Sequence, residues 1–154
     1  MSTRRDWLAG AAAITGYSLL PMLLPMPLSA TPADVQKAMR EAFGDSPIST
    51  GRVALTLPAL AENGNSVRLS VAVDSPMTEK DHVEFVQLFA EANPLPDIAR
   101  FELNALGGRA EIETRIRLAA EQRVVAVAGM NDGSLWSGSA SIVVTIAACL
   151  EGLI

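Results

Sequence analysis

Histidine and cysteine each occur once, as His82 and Cys149, in a chain of 154 residues. One of each cannot close a zinc site or an internal disulfide, and nothing in their spacing brings them together as nucleophile and base. Aromatic residues make up 5% of the chain, and charged residues 19%, with a formal net charge of -5. No basic stripe is available to displace counterions from a phosphate backbone, which argues against nucleic-acid binding. Also missing is the uninterrupted run of about 20 apolar residues that a spanning helix needs. The stretch from Leu8 to Ala30 is broken by Gly10, Gly16, Pro21, Pro25 and Pro27, so no stable membrane insertion is expected. The six methionines are scattered, so no copper box is implied, and neither metal nor cofactor is expected. What the chain does have is apolar content, 49%, enough to pack one ordinary domain without staples.

The N-terminus reads as an address. Arg4 and Arg5 precede Asp6, Trp7 and Leu8, and the proline-broken apolar stretch ends on the small residue Ala30. A basic start, an apolar middle and a small residue at the cut describe a cleavable signal over residues 1–30. The adjacent arginines make it the twin-arginine type, with an ordinary secretory signal as the alternative. The mature chain then starts near Thr31 in the periplasm, with a domain over 31–147 and a tail over 148–154.

Thr31, Pro32 and Asp34 predict a helix start: a capping hydroxyl, a proline tolerated in the first turn, and a carboxylate at the positive end of the dipole. Val35, Met39 and Ala42 or Phe43 keep helical spacing and Gly44 stops it. From Gly51 onward the period is two. Runs at 53–57, 67–73, 83–90, 98–104, 111–118, 124–128 and 141–147 are punctuated by Asn63-Gly64, Asn93-Pro94-Leu95-Pro96, Gly107-Gly108 and Asn131-Asp132-Gly133. About seven short strands between turn clusters predict a mainly β fold, an antiparallel sandwich of immunoglobulin type with a short N-terminal helix.

Two runs are apolar on both faces. Val83, Phe85 and Phe89 point one way and Val86 and Leu88 the other, and 124–128 is apolar throughout. A small sandwich should leave one face of each sheet wet, so something covers the outer face: the N-terminal helix or a partner protein. If a partner, 83–89 is the first candidate contact strand, with Val86 and Leu88 meeting it. The run at 111–118 carries Glu111, Glu113, Arg115 and Arg117 on one face. These are either an anion site built on the two arginines or a solvated face with cross-strand ion pairs. His82 is expected to be exposed at a strand start, and Trp136 to anchor the core or an edge.

Cys149 stands apart by position, two residues after the last expected strand. A lone thiol on a terminal tail in an oxidising compartment invites adducts or intermolecular pairing. Its ordinary pKa near 8.5 leaves it a weak nucleophile at neutral pH. Nothing beside it in sequence lowers that value, so activation must come from a partner's site.

Four strings carry a family resemblance: 61–67 (Ala-Glu-Asn-Gly-Asn-Ser-Val), 93–97 (Asn-Pro-Leu-Pro-Asp), 114–118 (Thr-Arg-Ile-Arg-Leu), and 144–146 (Val-Thr-Ile) running into the terminal cysteine. Together they resemble the Y subunits (SoxY) of the periplasmic Sox thiosulfate-oxidation system. The resemblance implies a non-catalytic sulfur carrier whose cysteine holds thiosulfate-derived sulfur on a C-terminal arm and presents it to separate enzymes. It also implies a heterodimer with a Z-type Sox subunit, and transient contact with the periplasmic Sox enzymes. Cys149 is the residue carried over as the covalent attachment point. The chain departs from the family at the arm, where glycines flank the cysteine: Ala147 and Ala148 precede it here, and Leu150, Glu151 and Gly152 follow, ahead of Leu153 and Ile154. Alanine lacks the positive-φ freedom of glycine, so a stiffer arm is expected. The alternatives are a divergent accessory protein of another periplasmic oxidation system that carries no sulfur, and a homodimer linked through Cys149. Changing Arg4 and Arg5 to lysine is expected to trap the precursor in the cytoplasm, as read by fractionation and immunoblot. Unimpaired export of that variant would assign the chain to the ordinary secretory route.

Overall fold

Alternating strands bury their apolar sides only if two sheets face each other, and the computed structural model, which describes residues 29–145, does this. A helix, α1 (Pro32–Phe43), precedes nine strands among the described residues. These are β1 (Ile48–Thr50), β2 (Val53–Thr56), β3 (Leu60–Ala61), β4 (Val67–Val73), β5 (Val83–Ala90), β6 (Asp97–Glu102), β7 (Glu111–Ile116), β8 (Gln122–Met130) and β9 (Leu135–Val144). The larger sheet runs β1-β9-β8-β5-β6, with β3 also paired to β9, and the smaller runs β2-β4-β7. The architecture is the immunoglobulin-like sandwich that the sequence predicts. Two details differ: β1 and β3 both lie parallel to β9, so the sheet is antiparallel except along that edge, and they raise the strand count. Elements of three and two residues are too short to show a period.

The first edge of the sandwich is one ribbon that changes sheets. After β1, Gly51 (φ 112) and Arg52 (φ 54) swing the chain into the smaller sheet as β2, and by β3 it has returned to β9. Arg52 is held in this bend by a bond from Nε to the Asp74 carbonyl (2.9 Å) and by Asp81 (3.4 Å), and its guanidinium lies 5.6 Å from the Trp136 ring centroid. Where β9 packs against β2, a Cβ on Gly138 would run into the Val53 carbonyl, so that position of β9 must be glycine. The strand containing it begins at Leu135, not 141, because 136–140 (Trp-Ser-Gly-Ser-Ala) has no apolar alternation. Pairing with β8 on one side and β1 on the other makes it a strand nonetheless.

Helix α1 starts and stops as its residues dictate. The Thr31 hydroxyl accepts from the Asp34 amide (3.3 Å) while the Asp34 carboxylate accepts from the Thr31 amide (2.8 Å) and hydroxyl (2.7 Å). The Thr31 side-chain bond, more than any other cause, holds the Asp34 carboxyl below its usual range. With the folded pKa depressed, its contribution is fully present above about pH 4 and fades as the pH falls. At the other end, the Gly44 amide closes on the Arg40 carbonyl.

The doubly apolar strands are covered by this helix. Between the sheets lie Val83, Val86, Leu88, Ala90, Val124, Ala126, Ala128 and Met130, all buried against Val67, Leu69 and Val71 of β4. On the outer side, Phe89, Val125 and Val127 pack under Val35, Ala38, Met39 and Phe43 of α1. Phe43 stacks on Phe85 (centroids 5.8 Å apart, 13° between planes) and meets Phe89 edge-on (6.0 Å, 79°). Val83 faces inward, opposite to the side the alternation assigns it, because the β5–β8 register shifts between Val83 and Phe85. Val86 and Leu88 have no exposed surface, so they cannot form a contact strip for a partner.

Val86→Asp therefore places an unpartnered carboxylate in the inter-sheet core. A loss of about 4 kcal/mol is expected, a large part of the 5–15 kcal/mol that holds an ordinary domain together. Denaturant titration should show it as a collapse of the unfolding midpoint, while Leu106→Asp, at a side chain 95% exposed, should leave the midpoint in place. An unchanged midpoint for Val86→Asp would return β5 to the list of surfaces.

Candidate functional site: the tail-bearing end of the sandwich

Strand β9 delivers the chain to one end of the sandwich, and short β3 fixes where it leaves. The Val143 amide donates to the Ala59 carbonyl (3.0 Å) and the Thr145 amide to the Ala61 carbonyl (3.1 Å). The Thr145 hydroxyl adds a bond to the Glu62 carbonyl at 3.0 Å. The side chains of the register pair Leu60 and Val143 are 54% and 43% exposed beside this clamp. Cys149, the expected attachment point, lies outside the described residues, as do Ala147, Ala148, Leu150, Glu151 and Gly152 of the arm. The same holds for residues 1–28 of the expected signal.

Three loops, 62–66, 91–96 and 117–121, meet at this end. The 62–66 loop turns on Asn63, whose Oδ1 accepts from the Asn65 amide (2.8 Å). Its Gly64 carbonyl accepts from the Leu118 amide (2.9 Å), and its Ser66 hydroxyl accepts from the Arg115 guanidinium (3.2 Å). The 91–96 loop is organised by Asn93, 5% exposed. Asn93 Nδ2 donates to the Arg117 carbonyl (2.9 Å), and its Oδ1 accepts from the Ala119 amide (3.0 Å) and from Gln122 Nε2 (3.0 Å). Gln122 in turn accepts from the Ala92 amide (2.9 Å) and donates to the Ala120 carbonyl (3.1 Å). No buried side-chain nitrogen or oxygen among the described residues lacks a partner. A network satisfied in this way fixes loops rather than weakening the core. The lead into α1 reaches the same place, since the Ala30 amide donates to the Asn93 carbonyl (2.9 Å) and the Ser29 hydroxyl to the Ala92 carbonyl (3.0 Å).

The hydrogen bonds just described join all four strings singled out in the sequence. Residues 61–67 bond to Thr145 and to 115 and 118, and 93–97 bond to 117. They are far apart in the chain and form one end of the molecule.

The charged face of β7 does not make cross-strand ion pairs. Across β4, Glu111 faces Ala72, Glu113 faces Ser70 and Arg115 faces Arg68. The strand ends at Ile116, so Arg117 lies just beyond it, exposed. Arg115, Arg117, Ile98 and Phe101 line a cleft of about 280 Å3 between the outer strands β6 and β7. His82 is half-buried rather than exposed: its amide donates to Asn131 Oδ1 (3.0 Å) and its Nδ1 lies 3.0 Å from the Thr78 carbonyl oxygen. Trp136 packs against the core from β9, with Nε1 donating to the Ser134 hydroxyl (3.1 Å). No group of three or more His, Cys, Asp or Glu side chains among the described residues is placed to hold a metal ion. Sequence reasoning missed Arg68 and the Asn93–Gln122 network. Arg68 reads as one polar position of an alternating strand, and Asn93 as a turn former.

Comparison with known proteins gives the fold and the site a setting. No curated protein matches the chain. Among solved structures, the sulfur carrier protein SoxY from Chlorobium limicola f thiosulfatophilum is 28% identical. That match has a TM-score of 0.61 and covers 74% of this chain and 98% of that one. Superoxide reductase (neelaredoxin) from Ignicoccus hospitalis matches at 15% identity and TM-score 0.54, over 76% of this chain and 95% of its own. Superoxide reductase from Nanoarchaeum equitans matches at 16% and 0.52, over 62% and 100%. At such identities the reductases share the sandwich alone. The family model for sulfur oxidation protein SoxY matches residues 39–149, a span that takes in every strand and loop described above and has Cys149 as its last residue. The chain belongs to the SoxY family.

Proposed function

We propose that this protein is a periplasmic, non-catalytic sulfur carrier of a Sox-type oxidation system, with Cys149 as the atom of attachment. The observation that carries the reading is the family match, which runs to Cys149 and ends on it. The clamp at Thr145 supports it. Three residues separate Thr145 from Cys149, so the Cys149 backbone lies within about 14 Å of a fixed point at one end of the sandwich. No helix among the described residues is long and apolar enough to cross a membrane. The twin-arginine reading of Arg4 and Arg5 supplies the export route.

In the loading step, the Cys149 thiol and thiosulfate join through a new S–S bond. One proton and two electrons leave, and the electrons pass to an acceptor on a partner enzyme. The product is a thiol-bound S–SO3⁻ group. A Z-type subunit is the proposed stable partner. The surface left for it excludes the outer face of β5–β8, which α1 covers, and includes the outer strands β6 and β7. Leu150, Leu153 and Ile154 bias the tail toward an apolar surface, so loading depends on a partner that lifts or grips it, and Ala147 and Ala148, in place of the family's glycines, stiffen the arm.

Intact mass of protein purified from the native periplasm, before and after reduction, tests the reading. Reducible adducts of sulfur or thiosulfate mass are expected on the wild type and absent from Cys149→Ser, with the unfolding midpoint unchanged. Adducts that persist in Cys149→Ser would sink the carrier assignment, because the chain has no other thiol. A reducible dimer in place of small adducts would favour the Cys149-linked homodimer. A Cys149→Ser strain with undiminished sulfur oxidation would favour the accessory role.

A further inference from the structure

We propose that Arg68, Arg115 and Arg117 form a receiving surface for the anionic end of a sulfur adduct borne on the chain's own tail. Arg68 and Arg115 are direct cross-strand partners on the outer face of the smaller sheet, and both are exposed. Like charges in that position oppose pairing, and the chain is acidic overall, at -5. The four ion pairs among the described residues are Lys37–Glu41, Arg52–Asp81, Arg100–Glu102 and Arg109–Glu111. None includes these three arginines. Glu113 stands on the same face two residues before Arg115, and its cross-strand partner is Ser70. None of the three guanidinium groups is engaged by a carboxylate, and Arg115 is held by the Ser66 hydroxyl, so donors remain for an oxoanion. Arg115 and Arg117 also rim the cleft between β6 and β7, which gives a bound group walls of Ile98 and Phe101.

Placement singles out the occupant. The 62–66 loop bonds to Thr145 at one end and to Arg115 at the other, so the tail base and the cluster flank one short loop. Strand β9 packs against β2, and β7 lies two strands beyond β2 in the smaller sheet. With sheets about 10 Å apart and strands about 4.8 Å apart, Thr145 and the cluster are separated by roughly 14 Å. The tether to Cys149 has about the same reach. An S–SO3⁻ group on that sulfur presents one negative charge and three acceptor oxygens at the distance where the arginines stand. This inference rests on the carrier reading for its adduct, and on the arginines for its site.

Tetrathionate separates the two. A Cys149 thiolate attacks its central S–S bond, leaving S–SO3⁻ on the protein and releasing thiosulfate, with no external oxidant. The full mature chain is loaded in this way, loading is confirmed by mass, and the arginine Nε–Hε resonances are followed by NMR. Loading is expected to move the Arg68, Arg115 and Arg117 signals at protein concentrations on the order of 0.1 mM. In Cys149→Ser, free thiosulfate should need millimolar levels, roughly tenfold more, for the same movement. High salt should abolish both. In Arg115→Gln/Arg117→Gln, the adduct should form to the same mass while the Arg68 signal stays still. Fully loaded protein whose arginine signals do not move overturns the receiving surface and leaves the carrier reading standing. Movement by free thiosulfate at the tethered concentration also overturns it, assigning the cluster to a free oxoanion. A chain that gains no mass from tetrathionate even with a Z-type partner present has no accessible thiol, and the carrier reading fails with this inference.

Discussion

Phe89 and Val127 have no exposed surface although they lie on the outer face of the larger sheet. The helix that buries them is tied to the strands by Phe43, which lies flat on Phe85 and edge-on to Phe89. Phe85 is clasped from the other direction by Arg100, whose guanidinium is 3.7 Å from the ring centroid and bonds to Glu102 and Gln87. A Cβ on Gly129 would overlap the same ring, so even the backbone of β8 is shaped to it. Burial of this face makes β5 and β8 the central wall of the molecule, with one apolar layer on each side. The rest of the sandwich is arranged around that wall, including the end from which the tail leaves.

That end is polar, and it holds together by different physics. Apolar packing is non-directional and would allow the loops to slide. The Asn93 and Gln122 amides instead use their donors and acceptors on named backbone groups of neighbouring loops. A buried amide so employed fixes position more than it adds stability. The result is a defined point, at Thr145, at which the described chain leaves the sandwich.

Much of this was legible in the residues. Alternation from Val67 to Val73 maps onto β4 residue for residue, with the burial it implies, and Thr31, Pro32, Asp34 and Gly44 mark α1 at both ends. The cover over the doubly apolar strands could be posed as a question but not answered, because helix and partner leave the same pattern in the strands they bury. Val83 could not be placed on the correct side, since a bulge leaves no mark in a hydrophobic pattern. β1 and β3 were invisible because their pairing is set by β9, more than 80 residues away. Of the site, the four strings were recognisable one by one. Their meeting at one end is a property of the sheet order, and so is the cluster formed when Arg68 comes opposite Arg115.

The sheet-switching ribbon bears on the order of events during folding. The clamp on Thr145 joins positions 83 and 84 residues apart, and such distant pairings bear the largest loop-closure entropy and form late. The chain between them contains β4 through β9, so pairing among these elements is expected to precede closure of β3 against β9. An immature molecule thus has a helix and hairpins before it has an anchored tail. Closure at Thr145 comes last in this order, so a chain still in transit to the native state has no fixed point at the end of β9.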